Sequence, residues 1–229
     1  MHFLRPFIAG IGLLVLSAAT VVHATDSISP RSVILIIGDG FDDQHVTMGR
    51  NYLVGQAGEL TLDTLPYRGA VQVETTNAEG KPLYVADSAN TATTLATGVV
   101  TEIGRVGTGP DDSDARTLAE EAAAHGLRTG IVSTASVTDA TPAAFMAHVS
   151  NRGCEDPAIV LGGSMYGQPY AGCPQDAKSN GGPGSIAEQI VNARVDVVLG
   201  GGRKFFAVPT SEAGTTALDQ ATANGITVA

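Results

Sequence analysis

The apolar positions of this chain fall into short runs of two kinds, and the kinds alternate. "SVILIIGDG" (Ser32 to Gly40) is an unbroken β-branched run stopped by glycine, the pattern of a strand buried on both faces. "GAVQVETT" (Gly69 to Thr76) alternates apolar and polar positions and predicts a second strand. "DARTLAEEAAAHG" (Asp114 to Gly126) has an acidic start, helical spacing and a closing glycine, so a helix is expected. "RTGIVSTA" (Arg128 to Ala135) predicts a strand. "SIAEQIVNA" (Ser185 to Ala193) predicts a helix opened by a Ser185–Glu188 capping box. "VDVVLGGG" (Val195 to Gly202) predicts another buried strand ending in glycine. Strands separated by helices imply crossovers and a largely parallel sheet with helices on both faces, so the expected class is α/β. In such sheets ligands bind beyond the carboxyl ends of the strands, which is where Gly38, Gly40 and Gly200 to Gly202 fall.

One apolar run belongs to a different kind of segment. "FIAGIGLLVLSAATVV" (Phe7 to Val22) follows Arg5 and precedes "VHA", the arrangement of a signal peptide cut after Ala24. A retained anchor is the competing reading, for which the run is somewhat short of the roughly 20 residues that span a bilayer. The expected organisation is therefore residues 1–24 as signal peptide and 25–229 as one α/β unit, periplasmic or secreted. "NGITVA" at the end reads as a turn into a strand barely begun, the pattern either of a fragment or of a natural domain that ends on a strand.

Charge narrows the partners. Losing Arg5 with the leader takes 13 basic residues to 12, against 23 acidic ones. No basic stripe is left to neutralise phosphates, which argues against nucleic acid. Cation binding and plain solubility both fit the acidic balance. Cys154 and Cys173, an even count in an exported chain, are expected to form a disulfide around a Gly/Pro/Tyr-rich loop, Gly162 to Gly184.

Candidate chemistry sits at element ends. Asp39, between Gly38 and Gly40 after an apolar run, suits either a cation ligand or a turn aspartate. In "YVADSANTATTLATG" (Tyr84 to Gly98), Asp87 and Ser88 precede a helix. Asp87 or Ser88 reads as the helix cap, or Ser88 reads as a nucleophile where helix N–H groups favour a phosphate or alkoxide. Position 91 holds Thr91, not the Glu or Gln that a box on Ser88 would need. In "TASVTDATPAAFMAHVSNR" (Thr134 to Arg152), Asp139 and Thr141 follow a strand and can offer oxygens to magnesium, or Thr141 can cap the helix "PAAFMAHV". Arg152, past that helix, can grip phosphate with its planar fork or act as a dipole partner. His148 reads as a packed, hydrogen-bonded histidine, and His45 and His125 as surface residues. No Ser-His-Asp triad is evident, so a nucleophilic Ser88 would need metal activation.

"VILIIGDGFDDQ", "YVADSANTATTLATG", "TASVTDATPAAFMAHVSNRGC" and "SIAEQIVNARVDVVLGGG" stand in the order of the signature blocks of the bacterial alkaline phosphatases, which the sequence resembles from Val33 to Gly202. The resemblance implies a three-layer α/β sandwich around a central, mostly parallel sheet, incomplete in this chain. It implies phosphate monoester hydrolysis through a phosphoseryl intermediate on Ser88, with two zinc ions, one magnesium and a homodimer. Asp39 resembles the aspartate bridging a zinc and the magnesium. Thr141 resembles a direct magnesium ligand, and Asp139 a magnesium-site residue nearer the outer shell. Arg152 resembles the arginine that clamps phosphate, with Asp87 orienting it, and Cys154–Cys173 a family disulfide. Phe41, Asn90 and Thr91 depart from the family pattern away from the chemistry. Most zinc ligands, three histidines among them, belong to a later half of the family's sequence and are expected beyond residue 229. The alternative is a catalytically incomplete fragment binding phosphate or metal weakly. A related phosphodiesterase or sulfatase fits less well, because the sulfatase motif is different.

Overall fold

The computed structural model describes residues 32–165, 167–210 and 214–228. The leader and its cut site lie outside the described residues. Contacts divide the chain into two units, 1–37 and 38–229.

In the first unit, residues 32–37 form no strand, and Val33, Ile34, Leu35 and Ile36 are exposed. The strand expected over Ser32 to Gly40 is therefore not formed. The run has the right side chains, but a strand exists only where a neighbour takes up its ladder bonds, and no described segment does so. Gly69 to Thr76 fails for the same reason. It contributes one isolated bridge residue, Thr76, and leaves Val71 and Val73 exposed.

The second unit orders its elements as α1 (Asp43–Leu53), α2 (Ser88–Thr97), α3 (Leu118–Ala124), β1 (Gly130–Ser136), α4 (Ala140–Ala143), α5 (Pro157–Val160), β2 (Gly163–Met165), β3 (Gln168–Tyr170), α6 (Ile186–Ile190), β4 (Val197–Gly201), α7 (Arg203–Phe206) and α8 (Ala217–Ala223). Strands β1 and β4 pair in parallel, from Gly130 opposite Val197 to Ser136 opposite Gly201, with an irregularity between Val132 and Ser136. Parallel strands joined through intervening helices place the chain in the expected α/β class. The expectation that these strands are buried on both faces does not hold among the described residues. Ile131 and Val198 are half-buried, while Val132 and Leu199, pointing the other way, are exposed. No described helix is long and apolar enough to cross a membrane.

Part of the core lies between α2 and α4. Ala89, Ala92 and Ala96 present one face of α2, and Ala140, Ala143 and Ala144 meet it from α4 and its end, all at 2% exposure or less. Small side chains let the two backbones approach closely, which brings the start of α2 and the start of α4 together. That juxtaposition builds the site. Helix α4 is shorter than the expected "PAAFMAHV": it ends at Ala143, and His148 follows in a segment whose neighbour Val149 bridges Val106.

At α6 the expected cap forms, with Ser185 and Glu188 making the reciprocal box. Helix α3 begins later than expected, because Thr117 and Glu120 form their own box. The cysteines are joined as Cys154–Cys173, 19 residues apart. The chain-entropy account makes such a closure worth about 3 kcal/mol. The segment Gly162 to Gly184 is not wholly irregular, since β2 and β3 form a short antiparallel hairpin within it.

His148 is buried as expected. Its Nδ1 donates to the Gly107 carbonyl at 2.7 Å and its Nε2 faces Glu120 Oε1 at 3.1 Å. Burial opposes the charged ring, but the Gly107 and Glu120 bonds and the nearby charges of Glu120 and Asp114 prevail and raise its pKa. Burial likewise opposes the Glu120 charge, but its bonds to Thr117 and His148 lower its pKa. The histidine contribution is complete below its unfolded pKa near 6.5 and fades as pH rises through the raised folded value. The Glu120 contribution is complete above its unfolded value near 4.5 and fades as pH falls through the lowered one. Glu120→Gln keeps the cap yet removes the charge, and Glu120 is 45% exposed at its side chain, so the loss is held to about 1 kcal/mol by solvent screening. Thermal unfolding should show this loss near pH 5.5 and little of it at pH 9.

Candidate active site

The site starts from a helix cap. Asp87, in extended backbone, is the N-cap of α2, and Ser88 is its first helical residue. Of the two residues that can cap this helix Asp87 takes the role, which frees the serine hydroxyl from capping duty. The carboxylate of Asp87 accepts the Asn90 N–H at 3.0 Å, and the Asn90 side chain accepts the Asp87 N–H at 3.0 Å. This is a reciprocal box with Asn in the place usually held by Glu or Gln. Sequence reasoning missed it by testing position 91 against Ser88; the spacing Asp87–Asn90 was the usable signal. Asn90 is fully buried and also donates to the Thr101 carbonyl, while Gly104 N–H donates to Asp87. The cap is therefore tied to the 101–104 loop as well as to its own helix.

Arg152 reaches this helix start from the far side. Its backbone N–H donates to the Gly104 carbonyl at 2.6 Å, so the same loop fixes both Asp87 and Arg152. One guanidinium nitrogen, Nη1, donates to Ser88 Oγ at 2.7 Å and lies 3.4 Å from Asp87 Oδ2. The other, Nη2, donates to Asp139 Oδ1 at 2.7 Å. Burial works against the guanidinium charge, but the bond to Asp139 and the charges of Asp139 and Asp87 outweigh it and push the pKa further up. A permanently charged, two-pronged donor thus faces a serine hydroxyl at the positive end of a ten-residue helix.

Asp139 does two jobs. It caps α4 by accepting the Ala140 N–H at 2.7 Å, and the same oxygen receives Arg152. The cap of α4 is accordingly Asp139, not Thr141. Thr141 sits at the second helical position with its hydroxyl donating to Asp39 Oδ2 at 2.8 Å. Asp39 lies in a turn in which Gly40 takes a left-handed φ of 69°, a conformation that side chains with a Cβ rarely adopt. The structure therefore gathers Ser88, Asp87, Arg152 and Asp139 in one cluster, and pairs Asp39 with Thr141 beside it.

Asp39, exposed, and Thr141, half-buried, carry hard oxygens of the kind magnesium takes, and would supply part of its six-oxygen shell. Zinc is a different matter. Among the described residues no group of three or more His, Cys, Asp and Glu side chains is gathered for a metal. His45 is engaged with Asp42, His125 with Glu121 and His148 with Glu120. The described donors do not fit a zinc pair.

The α/β fold sets an arginine fork at a helix-tip serine, an arrangement whose donors suit a tetrahedral oxyanion. The chain matches the family model described as alkaline phosphatase over residues 30–226, and it belongs to that family. It is 45% identical to the streptomycin-6-phosphate phosphatase of Streptomyces griseus, over 98% of this chain and 49% of that protein. It is 43% identical to the alkaline phosphatase of Escherichia coli K12, over 87% of this chain and 42% of that one. The cold-active alkaline phosphatase from the psychrophile Shewanella sp. superposes with a TM-score of 0.58 at 28% identity, over 82% of this chain and 39% of that structure. The chain thus spans about half the length, or less, of these relatives.

Asp87 carries both the cap and part of the Arg152 anchorage, and two variants separate the roles. Asp87→Asn, an equally good cap, should leave unfolding stability within a few tenths of a kcal/mol, whereas Asp87→Ala should cost about 1–2 kcal/mol. Chemical denaturation of both variants checks this.

Proposed function

We propose that the whole protein hydrolyses phosphate monoesters through a phosphoseryl intermediate on Ser88. The observation that carries this reading is the 2.7 Å bond from Arg152 Nη1 to Ser88 Oγ at the start of α2. A phosphoryl group docked there meets the guanidinium fork and the positive helix end together, the two devices that best stabilise charge on a transferring phosphoryl. Ser88 Oγ loses its proton and forms a bond to phosphorus as the ester P–O bond breaks, and the departing ester oxygen takes up a proton. Water then attacks the phosphoserine, the Ser88 Oγ–P bond breaks and inorganic phosphate leaves. Arg152, by donating to Ser88 Oγ, favours the alkoxide over the alcohol. Asp87 and Asp139 keep the guanidinium plane aimed at the helix tip.

The reading includes a divalent metal. Magnesium held by Asp39 and Thr141, with Asp139 in its outer shell, would supply positive charge and ordered water beside the phosphoryl. Two zinc ions are part of the reading by family resemblance alone, and no step above runs through them. Export to the periplasm or beyond, cleavage after Ala24 and a homodimeric assembly belong to the same proposal, as does the lack of a nucleic-acid partner. They rest on the leader pattern, the acidic balance and the family.

A second reading is favoured by the missing zinc donor set among the described residues: residues 25–229 alone bind phosphate or metal weakly without turnover. Robust zinc-dependent turnover by that isolated segment would eliminate it.

The main reading is tested by Ser88→Ala in the whole protein. Hydrolysis of a chromogenic phosphate monoester should fall at least about a thousandfold, and acid-quenched labelling of the protein by radioactive phosphate should disappear. Labelling that persists in the variant contradicts the phosphoserine.

A further inference from the structure

Two loops meet at the candidate site, and they are tied at two places. One tie is the Arg152–Asp139 ion pair already described. The other lies behind it. Thr138, fully buried and adjacent to Asp139, donates its hydroxyl to Glu155 Oε2 at 2.5 Å, and Glu155 stands three residues beyond Arg152. Nothing in the proposed chemistry uses Glu155.

Its surroundings are built to hold it still. The Cys154 and Glu155 carbonyls accept the first two N–H groups of α6, from Ile186 and Ala187, at 3.0 Å each. The neighbouring residue is locked in the Cys154–Cys173 disulfide. On the other side, Ser136 Oγ lies 2.7 Å from Thr138 Oγ1, which extends the chain of bonds to the end of β1. There the β4 end closes in: Gly202 has a φ of 94°, and a Cβ on it would come within 2.0 Å of Ser136 Oγ. A line of contacts thus runs from the β4 end through Ser136 and Thr138 to Glu155. Burial pushes the Glu155 carboxyl up from its ordinary range, with Asp139 adding to this and Thr138 and Lys204 opposing it.

We propose that Glu155 is a positioning residue: by accepting the Thr138 hydroxyl it fixes the turn that carries Asp139, and through Asp139 it holds the Arg152 guanidinium in its working plane. The geometry explains why a second tie is needed. An oxyanion taking the Arg152 fork competes with Asp139 for Nη2, and the Arg152–Asp139 tie is then weakened when alignment matters most. The Thr138–Glu155 bond is not shared with any ligand at the fork and persists. A neutral amide at position 155 can still accept the Thr138 hydroxyl, so the geometry requires the oxygen and not the charge.

The inference rests on the proposed function only for its effect on phosphate, so the test has two arms, run on the whole protein. The first follows the Arg152 Nε–H by 15N relaxation. In Glu155→Ala and Thr138→Val its order parameter should drop below about 0.6, the flexible range, while Glu155→Gln and Thr138→Ser should keep it rigid. The second measures competitive inhibition of hydrolysis by inorganic phosphate. The inhibition constant should rise about tenfold in Glu155→Ala and in Thr138→Val, as expected for a lost bond to a charged group. The double variant should rise no further than either single one, and Glu155→Gln should restore most of the loss. An Arg152 signal equally rigid in Glu155→Ala and Thr138→Val overturns the inference, whatever happens to activity. A loosened Arg152 in a protein whose parent form shows no phosphate-inhibited hydrolysis supports the positioning role and defeats the proposed function instead.

Discussion

The arrangement depends on one side chain, the Arg152 guanidinium. Its two terminal nitrogens are divided between two helix starts: Nη1 goes to Ser88, with Asp87 behind it, on α2, and Nη2 goes to Asp139 on α4. Neither acid is there for the arginine alone. Asp87 caps α2 and Asp139 caps α4, so the carboxylates that satisfy free helix N–H groups also aim the fork, Asp139 through one oxygen and Asp87 through its two. The alanine faces of α2 and α4 bring the two caps close enough for one arginine to span them. Packing, capping and the polarity of the site are one constraint seen at three scales.

This coupling also shows why the serine matters. At the N-cap it would be consumed by capping. With Asp87 in that role, Ser88 occupies the first helical turn with its hydroxyl directed to the guanidinium. Asp39 and Thr141 stand beside the cluster as a separate hydrogen-bonded oxygen pair.

Much of this was legible in the sequence, unevenly and for physical reasons. Strands β1 and β4 and the Ser185–Glu188 box followed from local pattern, because their ladder and cap partners are supplied within the described chain. Ser32 to Gly40 has the best strand composition of all and forms none, since composition cannot supply a neighbour. The α2 cap falls on Asp87, one of the two residues local rules allow, whereas the cap expected at Thr141 falls two residues upstream on Asp139, whose carboxylate outcompetes the hydroxyl as an acceptor. Asn90 was read as a neutral departure from the family pattern, yet its buried amide completes the α2 cap. Glu155 carried no local signal: its partner, Thr138, is 17 residues away, and only folding joins them.

Family membership fixes the kind of chemistry to look for, and the geometry says which atoms of this chain would take part. The central claim is that the fork at Arg152 is a phosphoryl cradle over Ser88. A crystal structure of the whole protein with phosphate or vanadate bound tests it most directly. The account predicts a tetrahedral or bipyramidal anion next to Ser88 Oγ, with both Arg152 Nη atoms within about 3 Å of its oxygens. An anion seated elsewhere, with Arg152 still bonded to Ser88 and Asp139 as it is now, would contradict it.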